Sequence, residues 1–279
     1  MDPRVQNLCY EFWTSGSYFT SQELKDMRLQ DKTALVTGST SNIGRAIAVA
    51  FGREGARVVV SGRSASRGAE VVDEIRAAGG SADFVAADLD GSPASSAALA
   101  DAATRALGGR IDVLVNNAGI YPGASTVETD EETFDRVYAV NVKAPFFLTA
   151  ALAPAMVARG DGAIINLGSW IARLGIPTGG LYSSTKGAVE TLTRAWAAEF
   201  GPRGVRVNAI SPGVVRPERP EGGDLAELMM RGTPAGASGT PDAVAHAAVY
   251  LASDEAAFVH GTVIDVDGGR VGVAVIAAR

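Results

Sequence analysis

The chain has 279 residues, 47% of them apolar and 20% charged, and a formal net charge of −6. So large an apolar fraction excludes a wholly disordered chain, and 25 Lys+Arg against 31 Asp+Glu argues against a nucleic-acid partner, which needs a basic face. The single cysteine, Cys9, excludes an internal disulfide framework and a cysteine zinc site.

Residues 1–30 form an N-terminal arm set apart by composition, with Tyr10, Phe12, Trp13, Tyr18 and Phe19 amid polar residues. It reads either as a free leader or as an arm packing on a neighbouring surface. It lacks a secretory h-region, and no apolar run approaches the ~18 residues of a membrane span. A cytoplasmic protein without a membrane partner is the expectation.

From Thr33 onward short apolar runs alternate with longer amphipathic ones. TALVTG (33–38) predicts a buried strand, Ile43–Glu54 a helix stopped by Gly55, ARVVVSG (56–62) a second strand and Ala69–Ala78 a second helix. ADFVAAD (82–88), a helix around Ser92–Leu107 and IDVLVNNAG (111–119) continue the alternation. AIINLGS (163–169), the long helix Leu181–Phe200 and VRVNAIS (205–211) complete it. Strands that are β-branched throughout are buried on both faces. Repeated β–α units of this kind give an α/β fold, a doubly wound parallel sheet with helices on both sides, as one domain over 31–279. The Gly- and Pro-rich stretch 212–241, with a short helix candidate at Leu225–Met230, reads as a substrate loop.

TGSTSNIG (Thr37–Gly44) follows the first strand and opens the first helix, where glycines let backbone N–H groups approach a pyrophosphate. Such sites that prefer NAD carry Asp or Glu at the end of the second strand. None stands between Gly55 and Ala69, and the strand ends in Ser61-Gly62-Arg63. A guanidinium there pairs bidentately with a 2′-phosphate, so NADP(H) is preferred over NAD(H); the alternative is an Arg63 that is simply solvated. Tyr182 and Lys186, four apart on one helix face, predict a phenol whose pKa a nearby ammonium lowers. Ser169 lies at the carboxyl end of a predicted strand, where doubly wound sheets bind ligands. Trp170 and Tyr121 either pack or line a pocket. His246 and His260 read as packing or capping residues, not as metal ligands.

Together these residues resemble the short-chain dehydrogenase/reductase family in its compact single-domain branch, including members like 3-oxoacyl-carrier-protein reductase. The resemblance spans about residues 31–270 and rests on TGSTSNIG, Asp88-Leu89, NNAG (116–119), Asn141 in NVKAPFF, Ser169, YSSTK (182–186), VNAISPG (207–213) and VDGG (266–269). It implies a Rossmann fold and hydride transfer between a nicotinamide and a small ketone or secondary alcohol. By the same resemblance Tyr182 is the acid or base, Lys186 holds the nicotinamide ribose, Ser169 orients the carbonyl and Asn141 keeps a relay water. Gly38, Ser41, Asn42, Ile43 and Gly44 would meet the phosphates. Asp88 and Leu89 would flank the adenine, Asn116, Ala118 and Gly119 would lie beneath the cofactor, and Pro212, Gly213 and Val215 would line the nicotinamide side. A homotetramer or homodimer through the helix carrying Tyr182 is also implied.

Two positions depart from the family pattern: Asn42 replaces a glycine of the turn, and Pro217 stands where a threonine is common. An NAD(H)-linked dehydrogenase of a sugar, steroid or other secondary alcohol is the alternative within enzymes. A cofactor-binding sensor without turnover is the alternative outside them.

Overall fold

A computed structural model describes residues 27–177, 179–216 and 225–274. Most of the predicted arm, and Pro217, lie outside these residues. Leu29 is fully buried and its N–H donates to the Glu54 carbonyl at 2.9 Å, so the packed domain includes residues ahead of the expected start at 31.

Seven strands, β1 (Thr33–Val36), β2 (Arg57–Gly62), β3 (Ser81–Ala86), β4 (Val113–Asn116), β5 (Gly162–Leu167), β6 (Val205–Pro212) and β7 (Val263–Val266), form one sheet ordered β3-β2-β1-β4-β5-β6-β7. Every neighbouring pair is parallel. This is the doubly wound α/β architecture read from the sequence. Side chains alternate between two cores: Ala34, Val36, Val58 and Val60 enter one, and Leu35, Val59 and Leu114 the other. With a core on each side, the middle positions of these strands are buried on both faces and only Arg57, at the start of β2, is exposed, which explains why the runs show no polar alternation.

Helices α1 (Asn42–Arg53), α2 (Ala65–Ala77) and α3 (Pro93–Ala106) follow the first three strands. The second begins four residues before the expected Ala69, because the Ser64 hydroxyl accepts from the Arg67 N–H and caps it. No element was expected between Ile120 and Gly162. The structure places there α4 (Glu131–Tyr138), capped by Asp130, a π-helical turn (Ala139–Lys143) and α5 (Ala144–Arg159) as one continuous run. Among the described residues this run is the one helix long and apolar enough to cross a membrane. Its Leu148, Leu152 and Met156 fill the second core.

The long helix α6 (Gly180–Phe200) precedes β6, the short α7 (Leu225–Met230) lies within the predicted substrate loop, and α8 (Pro241–Ala252) packs beside α1. Strand order reverses between β1 and β4. At such a switch point the two crossovers leave in opposite directions and open a crevice beyond the strand ends.

Candidate active site

At that point the β1 turn and the end of β4 are knotted together. The Thr37 hydroxyl donates to the Val115 carbonyl at 3.1 Å and accepts from the N–H groups of Asn117 and Ala118, each at 3.0 Å. The Asn117 side chain donates to the carbonyls of Thr37 (2.8 Å) and Gly38 (3.1 Å). Two glycines make the approach feasible. A Cβ on Gly38, whose φ is +62°, would lie 2.8 Å from the Ala118 Cα, and one on Gly44 would lie 2.3 Å from the Gly38 carbonyl oxygen. Asn42 sits at φ +48°, the left-handed region that asparagine tolerates, which is how the turn survives the loss of a glycine.

Above this knot runs a cleft of about 1100 Å³. Of the residues singled out in the sequence, Gly38, Ser41, Asn42, Ile43, Gly44, Arg63, Asp88, Leu89, Ala118, Gly119, Tyr182 and Lys186 line it. The Asn42 side-chain oxygen is buried there with no hydrogen-bond partner. Arg63 and Arg67 reach the cleft from the β2 end, and among the described residues no carboxylate pairs with either. A dinucleotide fits these features: a cradle that a Cβ would fill, an unpaired polar atom, the first turn of α1, and two free guanidinium groups.

The other expected residues stand behind the wall. Asn116 is buried in a polar ladder, its amide donating to Asn166 at 2.9 Å and to Thr149 at 3.3 Å. Asn141, on the π-helical turn, clamps Ile120: its oxygen accepts from the Ile120 N–H (2.8 Å), and its amide donates to the Ile120 carbonyl (3.0 Å) and to Thr185 (3.2 Å). Ser169 is buried at the head of a single 3₁₀ turn after β5. Pro212 ends β6, while Gly213 packs on Asp267 and Val215 pairs with Gly239, so all three frame the start of the loop after β6.

Tyr121 lines the cleft, one of its two readings, and sequence reasoning left out Asn117, Asp135, Arg136, Tyr138 and Lys143, which also line it. Asn117 lay within NNAG and only its orientation was hidden. The last four come from the helical run the sequence did not resolve.

The reactive cluster is Tyr182, Lys186 and Ser169. Ser169 stands close enough to the Tyr182 phenol to hold its pKa down. Lys186 Nζ lies 5.6 Å from the centre of the Tyr182 ring and donates to the Leu167 carbonyl at 2.8 Å. Burial pushes the Tyr182 phenol up to about 12, against the lowering effect of Ser169; the Tyr121 phenol pushes the same way as burial. Burial likewise brings Lys186 down to about 8. Desolvation, not the ammonium, sets the phenol's value, so the expected acidification is not seen. The resting tyrosine is neutral.

Comparison with known proteins places this geometry. The family model described as enoyl-(acyl carrier protein) reductase matches residues 38–270. A galactitol 2-dehydrogenase (L-tagatose-forming) of Cereibacter sphaeroides is 42% identical over 251 residues, 87% of this chain and 96% of that protein. A 3-oxoacyl-[acyl-carrier-protein] reductase of Thermotoga maritima is 35% identical over 252 residues, 88% of this chain and 100% of its own length. A solved structure described as a short chain dehydrogenase/reductase family protein superposes with a TM-score of 0.79 at 44% identity, covering 88% of this chain and 100% of that one.

The buried ammonium has a measurable consequence. Its folded-state value of about 8 lies below the free value of 10.5, so the unfolded chain binds the extra proton between them. Charging Lys186 therefore opposes folding fully below about pH 8, and that penalty fades as pH rises toward 10.5. In the cofactor-free protein Lys186→Met is expected to be more stable than wild type at neutral pH by roughly 1–3 kcal/mol. It should also lack the wild-type gain in stability from about pH 8 toward pH 10, where Tyr182, at 10.0 unfolded and about 12 folded, begins to cost stability in turn. Denaturant unfolding at one pH below the window and one inside it measures both.

Proposed function

The chain belongs to the short-chain dehydrogenase/reductase family and is a nicotinamide-dependent oxidoreductase of alcohol groups; from that premise we propose that it uses NADP(H) and interconverts a small ketone and its secondary alcohol, with Tyr182 as acid or base. The observation that carries this reading is the joining of Ser169, Tyr182 and Lys186 at one end of the cleft.

The first turn of α1 and the Gly38–Gly44 loop would hold the diphosphate. Arg63 would pair with the 2′-phosphate, with Arg67 beside it. Asp88 and Leu89 would bracket the adenine. Ala118 and Gly119 would support the dinucleotide from beneath, with Asn116 bracing that strand end from its buried ladder, and Pro212, Gly213 and Val215 would close the nicotinamide end. Bound there, the dinucleotide supplies or accepts the hydride.

The protein's own work is at the oxygen. Ser169 donates to the substrate carbonyl oxygen and orients it. Tyr182, neutral at rest, gives its phenolic proton to that oxygen as the carbonyl carbon becomes an alcohol carbon. In the reverse direction the phenolate takes the proton back, a state that needs the positive charge of Lys186 nearby. Lys186 also holds the ribose hydroxyls. The Asn141 side chain is committed to Ile120 and Thr185, so its part in a water relay falls to the backbone of the π-helical turn. The similarity to a galactitol 2-dehydrogenase (L-tagatose-forming) favours a polyol or its ketose as the substrate pair.

A groove of about 340 Å³ between α5 and α6 supports a homodimer or homotetramer. It is lined by Phe146, Ala150, Pro154, Trp196 and Phe200, and Phe146 is 43% exposed beside Trp196. A second copy covering it would remove this apolar surface from water.

Three measurements test the reading. Reduced-nicotinamide absorbance with a panel of ketones, L-tagatose among them, should show turnover that Tyr182→Phe abolishes; equal activity in that variant excludes the proposed acid. Arg63→Ala should raise the KM for NADPH about ten-fold or more while changing that for NADH far less, and an unchanged preference removes the 2′-phosphate assignment. Phe146→Arg should shift the sedimentation coefficient of the assembly to that of a monomer.

A further inference from the structure

Tyr121 belongs to none of the motifs that carry the family likeness, yet its ring lies against that of Tyr182, with centroids 4.6 Å apart and planes inclined at 45°. The fold alone does not account for it. Its side chain is half exposed, 49% open to solvent, and among the described residues nothing hydrogen-bonds its hydroxyl.

The backbone nevertheless holds it in place from both sides. Asn141 clamps the N–H and carbonyl of the preceding Ile120. The following Pro122 narrows the backbone choices of Tyr121 to extended conformations. An aromatic ring fixed in this way, at the mouth of the cleft and against the reacting phenol, restricts both the swing of that phenol and the approach of water to it.

We propose that Tyr121 is a positioning residue of this active site, its ring fixing the orientation of the Tyr182 phenol and shielding it from solvent. The proposal rests on the reading above in that Tyr182 is the group that exchanges the proton. The groups facing Tyr182 are Lys186 from its own helix and Ser169 from the end of β5; across the same cleft, on the α4 side, are the charges of Asp135, Arg136 and Lys143. None of these changes when Tyr121 is replaced, so a shift in Tyr182 behaviour reports on Tyr121, and Tyr121→Phe separates its ring from its hydroxyl.

Two readouts test it. In turnover, Tyr121→Ala should lower kcat about 10- to 100-fold with a smaller effect on KM, because orientation rather than binding is lost. The pH limb of alcohol oxidation, which needs the phenolate, should move about one unit lower as water reaches the phenol. Tyr121→Phe, which keeps the ring, should restore kcat to within about two-fold of wild type. Without substrate or cofactor, nitration of Tyr182 by tetranitromethane at mildly alkaline pH reads the same shielding. Tyr121 and Tyr182 fall in separate tryptic peptides, and Tyr121→Ala should accelerate modification at Tyr182 about ten-fold, the gain in phenolate that one pKa unit gives, while Tyr121→Phe stays near wild type. If the alanine variant does not fold, Tyr121→Leu takes its place.

Nitration and pH limb both unchanged in the alanine or leucine variant overturn the proposal. So does a loss that phenylalanine fails to rescue, which would assign the effect to the hydroxyl. A wild type inert toward every alcohol and ketone sinks the proposed function instead, and the nitration arm still decides the role of Tyr121.

Discussion

The close approach of two strand ends governs this molecule. Thr37, Gly38 and Gly44 on one side and Asn117 and Ala118 on the other come within hydrogen-bond and van der Waals reach only because two positions carry no Cβ. That contact fixes the floor of the cleft, and the floor fixes everything above it. Asn117 ties the carbonyl side of the β1 turn down, which leaves the first N–H groups of α1 directed at the crevice. A parallel sheet wound both ways opens a crevice at this point regardless of sequence. What the local residues decide is whether its floor lies low enough to admit a diphosphate.

The chemistry at the other end of the cleft follows from burial. Tyr182 and Lys186 are desolvated together, and desolvation favours the neutral form of each: the phenol keeps its proton and the amine holds its own less firmly. The Leu167 carbonyl offers the ammonium one acceptor, but a carbonyl dipole does not replace the water it has lost. The pair is therefore poised, in the cofactor-free chain, as a proton donor beside a weakened cation. In the proposed reaction a substrate oxygen entering next to Ser169 would meet a group able to protonate it at once. The reverse reaction would first have to create a phenolate in a site that disfavours one.

The features legible in the sequence were those set by local rules. Strand runs such as RVVVSG show burial on both faces directly, and the glycine turn follows from where it sits between β1 and α1. Arg63 was visible because the position after a strand is a matter of counting. The run Glu131–Arg159 was not: α5 carries Pro145 and Pro154, and its apolar residues spread around the helix rather than along one stripe, so periodicity is weak. Strand β7 escaped because VIDV is an edge strand, only partly buried, with a charged residue inside it. Asn116 and Asn117 look alike in the sequence, and only the pleat of β4 decides that one enters the buried ladder and the other faces the cleft. The contact between Tyr121 and Tyr182 joins residues far apart in the chain, and no local rule reports it.

The two halves of the cleft are built from different materials, and this bears on what evolves easily. The dinucleotide half rests on strand ends and on backbone geometry that few substitutions tolerate. The loop after β6, proposed to face the substrate, is secured by side chains: the Glu227 carboxylate on α7, held at about 2 by hydrogen bonds from Ser238 and Arg216. A second tie runs from Arg270, which donates to the Met229 carbonyl and lies with its guanidinium 4.1 Å from the centre of the Trp170 ring, next to Ser169. The loop and the turn that carries Ser169 are thereby linked through one cation and one indole. Such contacts can be exchanged a few at a time without disturbing the sheet. That is the physical reason the dinucleotide end of this cleft is easier to read than its other end.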